Sequence, residues 1–318
     1  MAYLYLIGGI LLLLFGGDWL VRGAVDLALR LKISILVVGM TVVSFATSAP
    51  ELLVSLDAAL NGYSDLSFGN VIGSNIANIA LILGLTSIVF PMVVRSRTYR
   101  VDYWIMNAVT LVLFLFIFKD RLLTFWEALI LVVILVGYNI YQIWASRRAT
   151  KKEKEEMVDE VNDDTTGGDS KWAMIFFLTI GVVGLKFGSE FLIKGALDLA
   201  RQWGVSERII AVSIVSVGTS LPELAASMVA SFKGEQELSL GNLVGSNIFN
   251  VLAVLGITGL VIDLPVKSEE LITFDFPWLF GISLLLYPFI RFITKGKIGR
   301  WEGLTMLIAY CCYIYFVF

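Results

Sequence analysis

The chain has 318 residues, 58% of them hydrophobic and 13% aromatic, with a formal net charge of −3 and no histidine. So large an apolar excess, with a mean hydropathy of +0.83, exceeds what a soluble core could bury, so a water-soluble enzyme and a nucleic-acid partner are excluded and an integral membrane protein is expected. The absence of histidine also removes the commonest zinc ligand and the usual proton-relay side chain.

In chain order, apolar runs of roughly 18 to 25 residues recur between short polar breaks, the length a helix needs to cross about 30 Å of hydrocarbon. They predict spans at 2–29, 35–60, 69–93, 101–118 and 123–145, then at 172–200, 206–232, 241–264, 272–291 and 301–318. The fold class is therefore an all-α polytopic membrane protein of ten transmembrane helices. The first span lacks a basic leader and has a full-length counterpart later in the chain, so it reads as structure and not as a cleaved signal.

Residues 146–171, within "SRRATKKEKEEMVDEVNDDTTGGDSKW", form the one long polar stretch. Its acids do not follow the spacing of an EF-hand loop, and it reads as a solvated linker between units 1–145 and 172–318. Alternating the spans places Arg30, Lys32, Arg95, Arg97, Arg100, Arg147, Arg148, Lys151, Lys152, Lys154, Lys171, Lys233, Arg291, Lys295, Lys297 and Arg300 on one side and only Lys119, Arg121, Arg201, Arg208 and Lys267 on the other. By the positive-inside rule the first side is cytoplasmic, which puts both termini outside a multi-pass plasma-membrane protein. Cys311 and Cys312 are adjacent in the last span and read as unbridged, core-filling thiols.

Shifting the sequence by 172 residues aligns "FGGDWLVRGAVDLALRL" with "FGSEFLIKGALDLARQW", "TSAPELLVS" with "TSLPELAAS", and "GNVIGSNIAN" with "GNLVGSNIFN". From Phe15 to Ser87 no gap is needed, and about two positions in five are identical. Each half holds an odd number of spans, so equivalent helices cross in opposite senses: two inverted five-helix repeats. In transporters so built, substrate sites lie near the midplane on helices broken by Pro or Gly.

Ser44, Thr47, Ser48 and Glu51 fall at i, i+3, i+4 and i+7 and share one helix face, continued by Ser55; Ser216, Thr219, Ser220, Glu223 and Ser227 repeat it. Pro50 and Pro222 lack the amide that the carbonyls of Ala46 and Gly218 would bind, freeing oxygens that membrane depth tolerates only around a cavity. Asn70, Ser74 and Asn78 are spaced i, i+4, i+8, as are Asn242, Ser246 and Asn250, beside small-residue faces of Gly69, Gly73, Gly241 and Gly245. All these groups are hard oxygen donors, suited to Na⁺ or Ca²⁺. Two facing carboxylates at membrane depth need compensation, which one Ca²⁺ or several Na⁺ supply, so a bare site is penalised in crossing and exchange is expected. Asp18, Arg22 and Asp26, which recur as Glu190, Lys194 and Asp198, read as structural ion pairs along their helices.

"TSAPELLVS" with "GNVIGSNIAN", and "TSLPELAAS" with "GNLVGSNIFN", resemble the two alpha-repeats of the sodium/calcium exchanger family, prokaryotic type, across nearly the whole chain. The resemblance implies an antiporter and not an enzyme, with Ca²⁺ and Na⁺ as transported substrates and the lipid bilayer as its other partner. No cofactor is expected, and a monomer is compatible with the sequence, which does not fix the oligomeric state. It implies alternating access in which spans 1 and 6 slide against a rigid remainder. Glu51 and Glu223 would be shared ligands, Thr47 and Thr219 would give carbonyls to Ca²⁺, and Ser48, Ser74, Ser220 and Ser246 would serve Na⁺ with backbone oxygens of Ser44 and Ser216. Asn78 and Asn250 would close the middle; a neutral amide at 250, where potassium-dependent members have Asp, implies independence from K⁺. The alternatives are a Ca²⁺/H⁺ exchanger, in which the glutamates are protonated in place of Na⁺ binding, and a passive cation channel.

Overall fold

The computed structural model describes residues 2–94, 98–148, 170–202 and 218–317. Ser216, the start of the span expected at 206–232 and most of the 146–171 linker lie outside the described residues. In chain order the helices are α1 (Ala2–Leu31), a bent pair α2 (Ile35–Thr47) and α3 (Ala49–Leu60), α4 (Ser64–Val89), α5 (Arg100–Asp120), α6 (Phe125–Arg147), α7 (Lys171–Gln202), α8 (Leu221–Phe232), α9 (Gln236–Val261), α10 (Leu271–Ile293) and α11 (Arg300–Val317). Among the described residues seven helices are long and apolar enough to cross a membrane, or eight with the bent pair taken as one span. The protein is a polytopic helical membrane protein.

The polar and apolar residues are distributed as lipid demands. Large apolar side chains such as Leu4, Phe15, Trp126, Val133, Trp172 and Trp301 are exposed, while Ser, Thr, Asn and Glu side chains crowd the interior. The helices are not equivalent in depth: 78% of an 18-residue apolar stretch of α4 and of α9 is buried, against 22% for α6 and 33% for α1. The two Gly-Asn helices are thus the middle of the molecule, and the others wrap them. α4 and α9 begin five residues before the expected 69 and 241, because the first turn takes Asp65 and Glu237, whose charges favour a helix N-terminus.

α3 and α8 span repeat-equivalent residues, as do α4 and α9. The turns between them carry Gly62 at φ +83° and Gly234 at φ +85°, a left-handed conformation that strains any side chain. Two short antiparallel ribbons link the halves: Met92–Val93 with Lys297–Ile298, and Leu122–Leu123 with Leu264–Pro265.

α1 and α7 form one antiparallel pair. Gly9, Gly16 and Gly23 on α1, and Gly181, Gly188 and Gly195 on α7, recur every seven residues on the contact face. A Cβ on Gly16 would lie 2.7 Å from Leu185 N, and one on Gly181 would lie 2.6 Å from Leu20 N. Backbones meet directly here, the way membrane helices gain contact without a hydrophobic driving force.

One expectation is corrected. Cys311 and Cys312 are both exposed on α11 and do not fill the core; the lipid-facing side of an outer helix accepts a weakly polar thiol as readily as an interior does. The charged residues of α1 and α7 keep the expected i, i+4 pairing along their helices, except at Lys194, which turns to the neighbouring helix. Asp18 holds Arg22 at 2.8 Å, and Asp26 pairs with Arg30, also at 2.8 Å. On α7, Lys186 lies 3.9 Å from Glu190, and Lys194 hydrogen-bonds the Tyr5 hydroxyl of α1 at 3.1 Å. An aromatic ring across the seam competes with a carboxylate on the same helix because it offers both a hydroxyl acceptor and a π-face, the ring centroid lying 4.4 Å from the ammonium.

Candidate ion-binding site

α2 ends and α3 begins at Ser48, whose φ and ψ of −84° and 3° leave the helical region, and the two segments meet at 43°. Ser220 repeats the break at −87° and 4° before α8. The prolines therefore do not kink a continuous helix. Pro50 and Pro222 start the second segment, in the first turn, where their missing amide is not needed. The break at Ser48 brings the carbonyls at the C-terminal end of α2 next to the first turn of α3, which carries Glu51; the first turn of α8 carries Glu223 at the equivalent position.

π-helical turns loosen the backbone further at Gly39–Val43 in α2, Ala77–Ile82 in α4 and Asn250–Leu255 in α9. Such turns disturb the regular pairing of carbonyls and concentrate at functional positions. The Asn250–Leu255 turn packs on α3, and the Ala77–Ile82 turn packs on α8. Each glutamate-bearing helix is thereby set against the asparagine turn of the other half.

Glu51 and Glu223 are both 0% exposed. They lie within electrostatic range of each other, and Ser48 Oγ donates to Glu223 Oε1 at 3.3 Å. Thr47 Oγ1 donates to Asn242 Oδ1 at 3.1 Å and lies 3.4 Å from Ser246 Oγ. Ser44 Oγ donates to the carbonyls of Gly39 and Asn242 at 2.7 and 3.0 Å. The first half's stripe is thus laid directly on α9.

The remaining buried oxygens lack protein partners. Among the described residues, Glu51 Oε1 and Oε2, Glu223 Oε2, Ser74 Oγ, Asn78 Oδ1, Thr219 Oγ1, Ser220 Oγ and Asn250 Oδ1 take part in no hydrogen bond. Buried polar atoms are normally paired, and leaving one unpaired costs about 1–3 kcal/mol, more for a charge. A concentration of them along the two equivalent stripes is the signature of a site completed by something other than protein. Among the described residues no cluster of three or more His, Cys, Asp or Glu side chains exists, so its charge comes from two carboxylates and its other donors are neutral oxygens.

Other polar residues of the motifs turn out to be scaffold. Asn70 Nδ2 donates to Ser55 Oγ at 2.9 Å and to the Glu51 carbonyl at 3.2 Å; Asn242 Nδ2 repeats the first contact with Ser227 Oγ at 3.1 Å. Asn75 was not singled out by the stripe argument. Its amide donates to the Asn247 carbonyl at 3.1 Å, and its Oδ1 accepts from Asn250 Nδ2 at 3.0 Å. The signal was present in the recurrence of "GSN" in both halves. Replacing Asn75 with Leu removes both bonds between α4 and α9 and leaves two buried groups unpaired, so the thermal midpoint in detergent should fall, by a destabilisation of about 2–4 kcal/mol. An unchanged midpoint would show that these bonds are dispensable.

Comparison with known proteins places the chain in a family. The sodium/calcium exchanger protein family profile matches residues 1–144 and 173–318. The chain belongs to the sodium/calcium exchanger family. This exchanger-family chain is 33% identical to the putative antiporter CaxA of Alkalimonas amylolytica, over all of its own length and 98% of that protein. It is 30% identical to the sodium/calcium exchanger MaX1 of Methanosarcina acetivorans, over 99% of its length and 98% of the relative. Among solved structures, the sodium-calcium exchanger NCX_Mj superposes with a TM-score of 0.83 at 28% identity, covering all of this chain and 99% of that one.

Proposed function

We propose that the chain is a secondary antiporter exchanging Na⁺ for Ca²⁺ by alternating access, built as ten spans in two inverted repeats (1–145 and 172–318) joined by a cytoplasmic linker, with both termini outside. The observation that carries the reading is the pair of fully buried glutamates flanked by unpartnered oxygens. Two negative charges in a low dielectric attract one Ca²⁺ strongly, or several Na⁺ in its place.

Glu51 and Glu223 are the shared ligands in this reading. Carbonyls near Thr47 and Thr219 complete the Ca²⁺ position, and Ser44, Ser48, Ser74, Ser216, Ser220 and Ser246 supply Na⁺ positions. Asn78 and Asn250 close the middle as neutral donors. Filling the cage by either ion cancels the buried charge, so the loaded forms cross between states while the bare form is held back. Coupling therefore needs no separate device.

Uptake of Ca²⁺ into proteoliposomes loaded in turn with Na⁺, K⁺ or acid tests this. Uptake that requires internal Na⁺ supports the reading; uptake driven by acid alone would make the chain a Ca²⁺/H⁺ exchanger, and uptake indifferent to every gradient would make it a channel.

A further inference from the structure

The two halves are not used alike. α1 packs along α8 through Leu20, Val21 and Ala24 against Ala226 and Ala230, with the backbone of Gly17 near Val229. α7, the repeat-equivalent of α1, forms no such seam with α3, the equivalent of α8, and leans on α8 instead. Accordingly Ala226 is 2% exposed, while its equivalent Val54 is 40% exposed. The face of α8 at Ala226 is covered by α1, and the equivalent face of α3 at Val54 is exposed.

The covered seam ends in a charge pair. Lys233, at the C-terminal cap of α8, contacts Asp18 Oδ1 of α1, whose other oxygen holds Arg22. Both side chains of the pair are about three-quarters buried, at 27% and 25% exposure. Lys233 lies ten residues from Glu223, about 15 Å along a helix.

Exchanging the roles of the two halves, as alternating access of inverted repeats requires, lays α7 on α3. Glu190 then takes the place of Asp18, but the position equivalent to Lys233 is Asn61. Ser189 replaces Gly17 and Asp57 replaces Val229 at the closest backbone approach. A state so arranged would lack both the ion pair and the small apolar seam.

We propose that Asp18 and Lys233 form a one-sided latch, which holds α1 on α8 and biases the resting protein toward loading its ions from the α3 side. This inference rests on the alternating-access reading above. The pair joins the α1–α7 unit to a helix that carries a site glutamate, so breaking it releases the seam without touching a proposed ligand. Asn61 sits where a second lysine would make the bias symmetric.

The test uses the full chain in proteoliposomes with Cys311→Ser and Cys312→Ser. Gly17→Cys with Val229→Cys then reports the seam, since a Cβ at 17 lies 3.3 Å from Val229 Cβ, only slightly nearer than the ~3.5–4.5 Å a disulfide spans, so a small adjustment closes the bond. A short oxidant pulse captures the fraction with α1 on α8. Lys233→Asn should lower the captured-to-uncaptured ratio about fivefold, the population change that corresponds to an ion pair worth about 1 kcal/mol. Asn61→Lys, which offers Glu190 a partner in the opposite state, should lower it too, and Lys233→Arg should leave it unchanged. An unaltered ratio in both Lys233→Asn and Asn61→Lys, or an equal fall in Lys233→Arg, overturns the latch. The underlying reading fails separately, if the cross-linked protein still exchanges Ca²⁺ at full rate.

Discussion

Replacing Glu51 or Glu223 with Gln should reduce Na⁺-driven Ca²⁺ uptake by roughly a hundredfold or more. Glutamine keeps the shape and one oxygen donor but removes a charge. A single remaining carboxylate leaves Ca²⁺ half-compensated at membrane depth, where even lenient scales charge about 2.5–3.5 kcal/mol for an unbalanced ion, close to two powers of ten in binding. The same substitution should raise thermal stability without added cation, because it ends the repulsion between two buried carboxylates that lack donors on three of their four oxygens. Ca²⁺ should then raise the midpoint of the native chain through preferential binding to the folded state, and fail to do so in the variant. Transport within a few-fold of the native rate, with the Ca²⁺-dependent midpoint shift intact, would remove these two side chains from the site.

Gly16→Val should be among the most damaging substitutions outside the site. Its side chain would be driven into Leu185 N and the Gly184 carbonyl carbon, which a Cβ already meets at 2.7 and 2.9 Å. Neither is a flexible side-chain end, so the two helices must separate. Overpacking of this kind costs about 1–3 kcal/mol, and the seam loses contact along its length because the glycines are in register on both helices. If α1 and α7 move as one body, separating them also removes the coupling between the two membrane faces. Exchange should therefore fall by more than tenfold even in protein that remains folded, as read by transport per correctly eluting molecule. Gly137→Val on α6, where a Cβ meets nothing within 4 Å, is the matched control and should behave as the native chain. Equal effects at both positions would mean that the α1–α7 contact has no special role.

Much of the architecture was legible before any coordinates. Apolar length marks a membrane span whatever its neighbours are, so eight of the ten expected spans coincide with described helices long and apolar enough to cross, the bent α2–α3 pair counted as one, and α8 and α11 overlap the other two. The break in span 2 was legible as a proline beside a polar stripe; its form was not. The same two letters fit a kinked helix or two segments meeting at Ser48, and only the packing of both segments against α9 and α4 decides between them. Asn70 and Asn78 illustrate the same limit within one helix. They lie two turns apart on one face, yet Asn70 is tied to Ser55 while both polar atoms of the Asn78 side chain are unpartnered.

The sequence by itself determined that the chain lives in a membrane, that it is a doubled unit, and that each unit carries one glutamate beside a proline in an apolar helix. Those properties are local or self-referential: span length, spacing and internal similarity do not depend on what packs against what. The tertiary structure alone decided which oxygens lack protein partners, that Cys311 and Cys312 face outward, and that α1 closes on α8 while α7 leaves α3 open. Two similar halves predict two similar seams, but one connected body formed by α1 and α7 is seated on only one of them here. That choice follows from small differences between equivalent residues, Lys233 for Asn61 and Val229 for Asp57, whose partners lie on another helix some 200 residues away in the chain.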